Sequence, residues 1–384
     1  MTGTTVIHSA RIVSGGAGVA DAWVRFDGDR VEARGVGEGW RVDLPVDAAV
    51  TDAAGGLLVP GFIDMHCHGA GGAAAEDGEA GIDRMLSVHS AHGTTRMVCS
   101  LVSAPVDVLA GRLDAVAGVA ARDPRVLGSH LEGPFLDGEF RGAHDPAALR
   151  TADADAVTAL LAAAAGTLAQ ITIAPEHDGA IAAIRQFADA GVRVAVGHTG
   201  ADFATASAAF EAGASVLTHA FNGMRGIHHR APGPVVAALA APHVTLEIIN
   251  DGVHVHPDVV ALAFRGAPGR IALITDAMAA TGAADGDYVL GSLDVVVRDG
   301  VARLADGGAI AGSTLTLDVA LRRAVVDCGI PIADAVDALT VVPAAALGRA
   351  HDLGRLDPGY AADAVLLDDG FTVRSVWGAG IRLA

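Results

Sequence analysis

With 384 residues, 51% of them hydrophobic and 18% charged, the chain has apolar material for one large domain, or one large and one small, which excludes disorder as its main state. All 26 basic residues are Arg and none is Lys, so Schiff-base, phosphate-loop and carbamylated lysines are excluded. A formal net charge of −19 argues against a nucleic-acid groove, and no apolar run reaches the roughly 18 residues of a membrane span.

Residues 1–58 read as short strands and turns, with Asp27-Gly28 as a hairpin signal. The opening segment lacks a basic stretch followed by an apolar core, so no leader is expected. Three scattered cysteines, Cys67, Cys99 and Cys328, point to a reducing cytoplasm and not to a disulfide framework. From Pro60 onward, short apolar strands alternate with Ala-rich helical segments, the signature of parallel βα units. The strands are FIDMHCH, TTRMVCSL, VLGSHLEG, ITIAPEH, VRVAVGHT, SVLTHAFN, VTLEIIND and IALITDAM, and eight such units predict a closed (β/α)8 barrel. Beyond them, 284–308 reads as β-hairpins, 314–328 and 331–347 as helices, and the tail as strands and turns again. The expected organisation is an α/β chain: a barrel over 59–349 with a hairpin insertion, and a small β-sandwich domain built discontinuously from 1–58 and 350–384.

The carboxyl ends of the strands carry histidines and carboxylates, and in a barrel that end is the active-site face. His66 and His68 are two residues apart on one strand, so both imidazoles point to the same side and can grip a metal. Cys67 between them faces the other way and reads as packing. Glu132 ends the third strand, His198 the fifth, His219 the sixth and Asp276 the eighth. Such nitrogen and oxygen ligands suit zinc or a similar divalent ion with an open position for water. Glu132, His198 and His219 read as ligands of one ion, with His66 and His68 building a second. In the absence of lysine, Glu132 is the candidate bridge between them. Asp276 is placed to act as general base and then as acid. His130, on the same strand side as Glu132, is a candidate for orienting a ligand, while His89 and most other histidines read as structural or surface. Glu176 and His177 share the active-site face without an assigned role. No Gly-rich run fits a dinucleotide fingerprint.

PGFIDMHCHG, SHLEGPFL, GAH, VGHTGA, THAFNGM, DGVHVHP, ITDAMAATG and AGSTLTLDVALR, in that order over residues 57–330, resemble the successive motifs of the N-acetylglucosamine-6-phosphate deacetylases of the amidohydrolase superfamily. The resemblance implies the same barrel with a small β-sandwich from both termini. It implies metal-dependent hydrolysis of the N-acetyl group of N-acetyl-D-glucosamine 6-phosphate to D-glucosamine 6-phosphate and acetate, in amino-sugar catabolism and cell-wall recycling. One or two divalent ions follow from it, zinc first, with iron or another divalent ion as the variant. By the same resemblance His144 polarises the amide carbonyl. The phosphate is held by the backbone at Asn222 and Gly223, by His254, and by Arg230 reaching over from the other subunit of a homodimer. Some members replace the first-strand histidines by amide side chains, whereas this chain keeps both. THAFNGM stands where THLFNAM is more usual, with smaller residues that would loosen the wall near the phosphate. The competing readings are the galactosamine epimer as substrate, a non-phosphorylated amide hydrolase, and a catalytically silent sugar-phosphate binding protein.

Overall fold

A computed structural model describes residues 3–384. Eight parallel strands, Phe62–Cys67, Thr94–Val102, Val126–Glu132, Leu168–Ile173, Arg193–Val196, Ala214–Leu217, Thr245–Ile249 and Ile271–Ile274, pair side by side in chain order. The ring closes where the Asp276 N–H donates to His66 O and the His68 N–H to Ala277 O, each at 2.9 Å. Every strand predicted from the sequence is present. Most are buried on both faces, which is why they read as apolar runs and not as alternation. Helices cover the outer face. In Val106–Ala120 the buried residues Leu109, Leu113 and Val116 recur at helical spacing, and each leucine contributes about 2 kcal/mol by leaving water.

The predicted 331–347 helix is two short ones, Ile332–Asp337 and Val341–Ala346. Pro343 is the physical reason: it lacks an N–H and its ring collides with the carbonyl four residues back, so it is tolerated only in the first turn of a new helix. The segment after the eighth strand forms a three-stranded antiparallel sheet, Gly286–Leu290, Leu293–Arg298 and Val301–Leu304. Its Val295, Val297 and Ala302 pack on Met278, Ala280 and Val102, which seats the sheet beside the barrel mouth.

Both termini join one eight-stranded mixed sheet. In it Thr4–Ser14 lies between Ala17–Asp27 on one side and Ala49–Asp52 and Leu57–Pro60 on the other, and the last of these continues into Ala364–Leu367 and Val373–Gly378. The sheet curls until Arg30 bridges to Ala361, enclosing Ile7, Val24, Phe26, Leu58, Leu366 and Trp377. The chain passes from this sheet into the barrel at Gly61, where a Cβ would stand 2.1 Å from Thr95 Oγ1 and only glycine fits. A buried bidentate pair, Arg96 to Asp363 at 2.6 and 3.0 Å, ties the second barrel strand to the same sheet. Among the described residues no helix is long and apolar enough to cross a membrane.

Candidate active site

The histidines and carboxylates of the strand ends meet in one buried cluster at the barrel mouth. His66 and His68 present their Nε2 atoms 3.1 Å apart. Glu132 Oε1 lies 3.0 Å from both His198 Nε2 and His219 Nε2, while its Oε2 lies 3.2 Å from His68 Nε2 and from His144 Nε2. One carboxylate therefore faces both groups of imidazoles. Asp276 Oδ1 stands 3.4 Å from His66 Nε2 and 3.3 Å from His68 Nε2. His198, His219 and Asp276 have positive φ of 47°, 26° and 49°. Non-glycine residues pay about 1–3 kcal/mol for this, and such strain gathers where function demands an orientation the strand would not give. At Asp276 the main chain is held by His66 O at 2.9 Å and by the Ser313 N–H at 2.7 Å.

The remaining ring nitrogens set the tautomers. His198 Nδ1 donates to Phe140 O at 2.9 Å and His219 Nδ1 to Asn222 O at 3.2 Å, and in that Nδ1–H tautomer each ring turns an Nε2 lone pair inward. At His144 the order reverses, because the Ser103 N–H donates to its Nδ1 at 3.3 Å and leaves the proton on Nε2. Burial pushes the Glu132 carboxyl up, but His66, His198 and His144 outweigh it and hold the group well below the usual carboxylate range. Burial likewise opposes, and His66 and His68 overcome it, at Asp276, whose pKa is lowered. His68 rises to about 9 because Asp276 and Glu132 outweigh its burial. His144 falls to about 4 because burial wins over Glu132, so its ring is neutral at pH 7.

A cavity of about 270 Å³ opens on this cluster and is also lined by Asn222, Gly223, His254, Leu290 and Ile310. Leu290 comes from the hairpin insertion, which sequence reasoning had placed but given no role at the site, and Ile310 from the segment that follows it. His254 is held by Asp251 Oδ2 at 2.7 Å; burial lowers its pKa, and that contact raises it further, above the ordinary value. Gly223 does not loosen the wall. Its φ is +58°, and a Cβ there would stand 3.0 Å from His198 Nδ1, so the missing methyl is space the His198 ring occupies. Arg230 sits in an exposed loop with Nη1 2.7 Å from His229 Nε2 and does not line the cavity. A larger cavity of about 430 Å³, near Phe264, Arg265 and Cys328, has no histidine in its lining.

The amidohydrolase family matches residues 57–381. The chain belongs to that family. An N-acetylgalactosamine-6-phosphate deacetylase of Escherichia coli O157:H7 is 40% identical over 337 residues, 87% of this chain and 89% of that protein. An N-acetylglucosamine-6-phosphate deacetylase of Vibrio furnissii is 37% identical over 329 residues, 84% and 82% of the two chains. The structure of an aspartate-to-alanine mutant of the Mycobacterium smegmatis N-acetyl-D-glucosamine-6-phosphate deacetylase, in complex with N-acetyl-D-glucosamine-6-phosphate, superposes with a TM-score of 0.93 at 40% identity over the whole of both chains.

Amidohydrolases are metal-dependent, and the cluster fits a cation on its own chemistry. With Nδ1 of His198 and His219 committed as donors, their Nε2 lone pairs face each other at 3.0 Å and both face Glu132. Such a set repels itself and is reconciled by positive charge. His130 is not part of it: Ser100 Oγ and Thr172 Oγ1 engage its two ring nitrogens at 2.9 Å each, and burial holds its pKa well below the ordinary value. His89, read from sequence as structural or surface, is buried behind the first strand with Nε2 3.2 Å from Cys67 Sγ. Glu176 receives the Gly200 N–H and the Thr199 hydroxyl, both at 2.5 Å, and so braces the turn after His198. Sequence reasoning missed Glu247 in this amidohydrolase, a fully buried carboxylate 3.1 Å from His66 Nδ1. The signal available was a lone carboxylate inside the apolar strand VTLEII.

Proposed function

We infer that this amidohydrolase removes the N-acetyl group of N-acetyl-D-glucosamine 6-phosphate, giving D-glucosamine 6-phosphate and acetate. The observation that carries the reading is the cavity that joins the Glu132-centred cluster and Asp276 to Asn222, Gly223 and His254. Glu132, His198 and His219 would hold one divalent ion, and His66 and His68, with Glu132 shared, a second. Zinc is the ion this nitrogen and oxygen set suits best, with iron as the variant. A cation held there acidifies water and withdraws electron density from a carbonyl oxygen.

The protein groups supply the rest. Asp276, whose pKa lies below the ordinary carboxylate value, takes a proton from the attacking water at Oδ1 and returns it to the departing amine nitrogen, so the C–N bond breaks without release of an anionic amide. His144, neutral and protonated at Nε2, donates a hydrogen bond to the carbonyl oxygen as negative charge develops on it. His254 and the backbone at Asn222 and Gly223 receive the phosphate, joined by Arg230 of a second copy in a homodimer. The exposure of the Arg230 loop supports that last assignment, and an arginine fork suits a phosphate dianion. The three free cysteines support a cytoplasmic setting.

The Escherichia relative favours one second reading, the galactosamine epimer as substrate. Acetate and free-amine release from both 6-phosphates and from unphosphorylated N-acetylglucosamine, with and without chelator, decides between them. Chelator-sensitive turnover fastest on the gluco epimer is expected. Faster turnover of the galacto epimer reassigns the substrate, and no release from any sugar at full metal load overturns the reading.

A further inference from the structure

A histidine that binds through Nε2 almost always has its Nδ1 proton held by an acceptor, which fixes both the tautomer and the ring plane. For His198 and His219 the acceptors are main-chain carbonyls. His66 differs: its Nδ1 lies 3.1 Å from Glu247 Oε2, a side-chain atom. Glu247 leaves the Thr245–Ile249 strand into the barrel interior and is fully buried. Its Oε1 accepts from Gln170 Nε2 at 2.8 Å, and its Oε2 also accepts from the His219 N–H at 3.3 Å. Burying a carboxylate so completely is costly, and an apolar side chain would fill the space without that cost. The position must therefore be explained by what the carboxylate holds.

We propose that Glu247 is a positioning residue that holds His66 as the Nδ1–H tautomer, with Gln170 in turn holding Glu247. The His66 Nε2 lone pair is then aimed at the space shared with His68, Glu132 and Asp276. The inference rests on His66 and His68 being ligands of a second divalent ion. Without the acceptor, the ring is free to turn, or to carry its proton on Nε2 where a lone pair is required. The ion at His66 and His68 is weakened, whereas His198 and His219 keep the carbonyls that orient them.

The test is titration of chelator-stripped protein with Co²⁺, followed by visible absorption and checked by elemental analysis. Wild type, Glu247→Gln, Glu247→Leu and His66→Ala are compared. Partners of this kind are worth about 10- to 100-fold in metal affinity. The second equivalent is expected to bind about tenfold more weakly in Glu247→Gln, which keeps an acceptor oxygen but loses the charge. In Glu247→Leu, which keeps neither, the loss is about 100-fold, with the first equivalent unchanged in both. If Glu247→Leu does not fold, the tenfold shift in Glu247→Gln decides. Wild-type affinity for both equivalents in the Glu247 variants overturns the proposal, as does a parallel weakening of both equivalents together with a fall in Tm. His66→Ala separates the two layers of inference. If it loses the second equivalent while the Glu247 variants keep it, only the positioning role fails. If it binds two equivalents normally, or wild type binds only one, the ligand assignment fails and the positioning role with it.

Discussion

Replacing Asp276 by Asn removes the proposed proton acceptor while leaving the shape of the site. General acid–base groups contribute about 10²- to 10⁴-fold each. Asp276 is assigned both the proton from water and the proton to the amine, so the upper part of that range applies, about 10³- to 10⁴-fold in kcat, or about 4–5.5 kcal/mol of barrier. The structure confines the loss to the chemical step. The nearest ring nitrogens are 3.3 and 3.4 Å from Asp276, whereas Glu132 approaches His198 and His219 to 3.0 Å, so the cluster keeps its centre. The backbone at φ 49° suits Asn at least as well as Asp, and the main-chain bonds to His66 and Ser313 do not involve the side chain. Steady-state kinetics on N-acetylglucosamine 6-phosphate, with metal content measured on the same sample, is the assay. A loss below tenfold, a rise in KM at constant kcat, or metal lost in step with activity would refute the assignment.

Gly223→Ala sets a methyl 3.0 Å from His198 Nδ1 at a positive φ, and should lower stability by about 1–3 kcal/mol and kcat/KM at least tenfold; unchanged melting and kinetics would show that the loop adapts. Arg230→Ala, on an exposed loop, should leave stability within about 0.5 kcal/mol yet raise KM for the phosphorylated sugar far more than for unphosphorylated N-acetylglucosamine, and an equal effect on both removes its phosphate role. His89 is pushed down to about 4 by burial, against 6.5 unfolded, so between those values the unfolded chain binds a proton that the folded one does not. Its contribution is complete above pH 6.5 and is lost as pH falls toward 4, at up to about 1.4 kcal/mol per pH unit. His89→Gln should remove that slope in denaturation measured from pH 7 to pH 4.5, and an unaltered slope would contradict the burial argument.

The barrel was readable because each strand carries its own apolar run and each connection its own helical pattern, both local properties of the chain. His66 and His68 were readable as a pair for the same reason, since two-residue spacing on a strand fixes a shared face. Readings that depended on packing fared differently. His89 could not be divided between structural and surface from sequence, because its neighbour Cys67 comes from another element, 22 residues away. Gly223 looked like slack in a wall, since the ring that fills the space belongs to His198 on a different strand. Leu290 carried no functional mark, because a hairpin packed over a barrel mouth has the same alternation as one packed anywhere else.

The chain's own local chemistry determined the fold class, the face on which chemistry would gather, the absence of any lysine-based mechanism, and the identity of the converging histidines and carboxylates. Tertiary structure alone decided which nitrogen of each ring is free and that a buried glutamate stands behind His66. Those outcomes are set by hydrogen bonds such as His66 to Glu247, which joins residues 181 positions apart. Spacing along a strand orients a side chain, but only the partner brought to it by the closed barrel sets its tautomer.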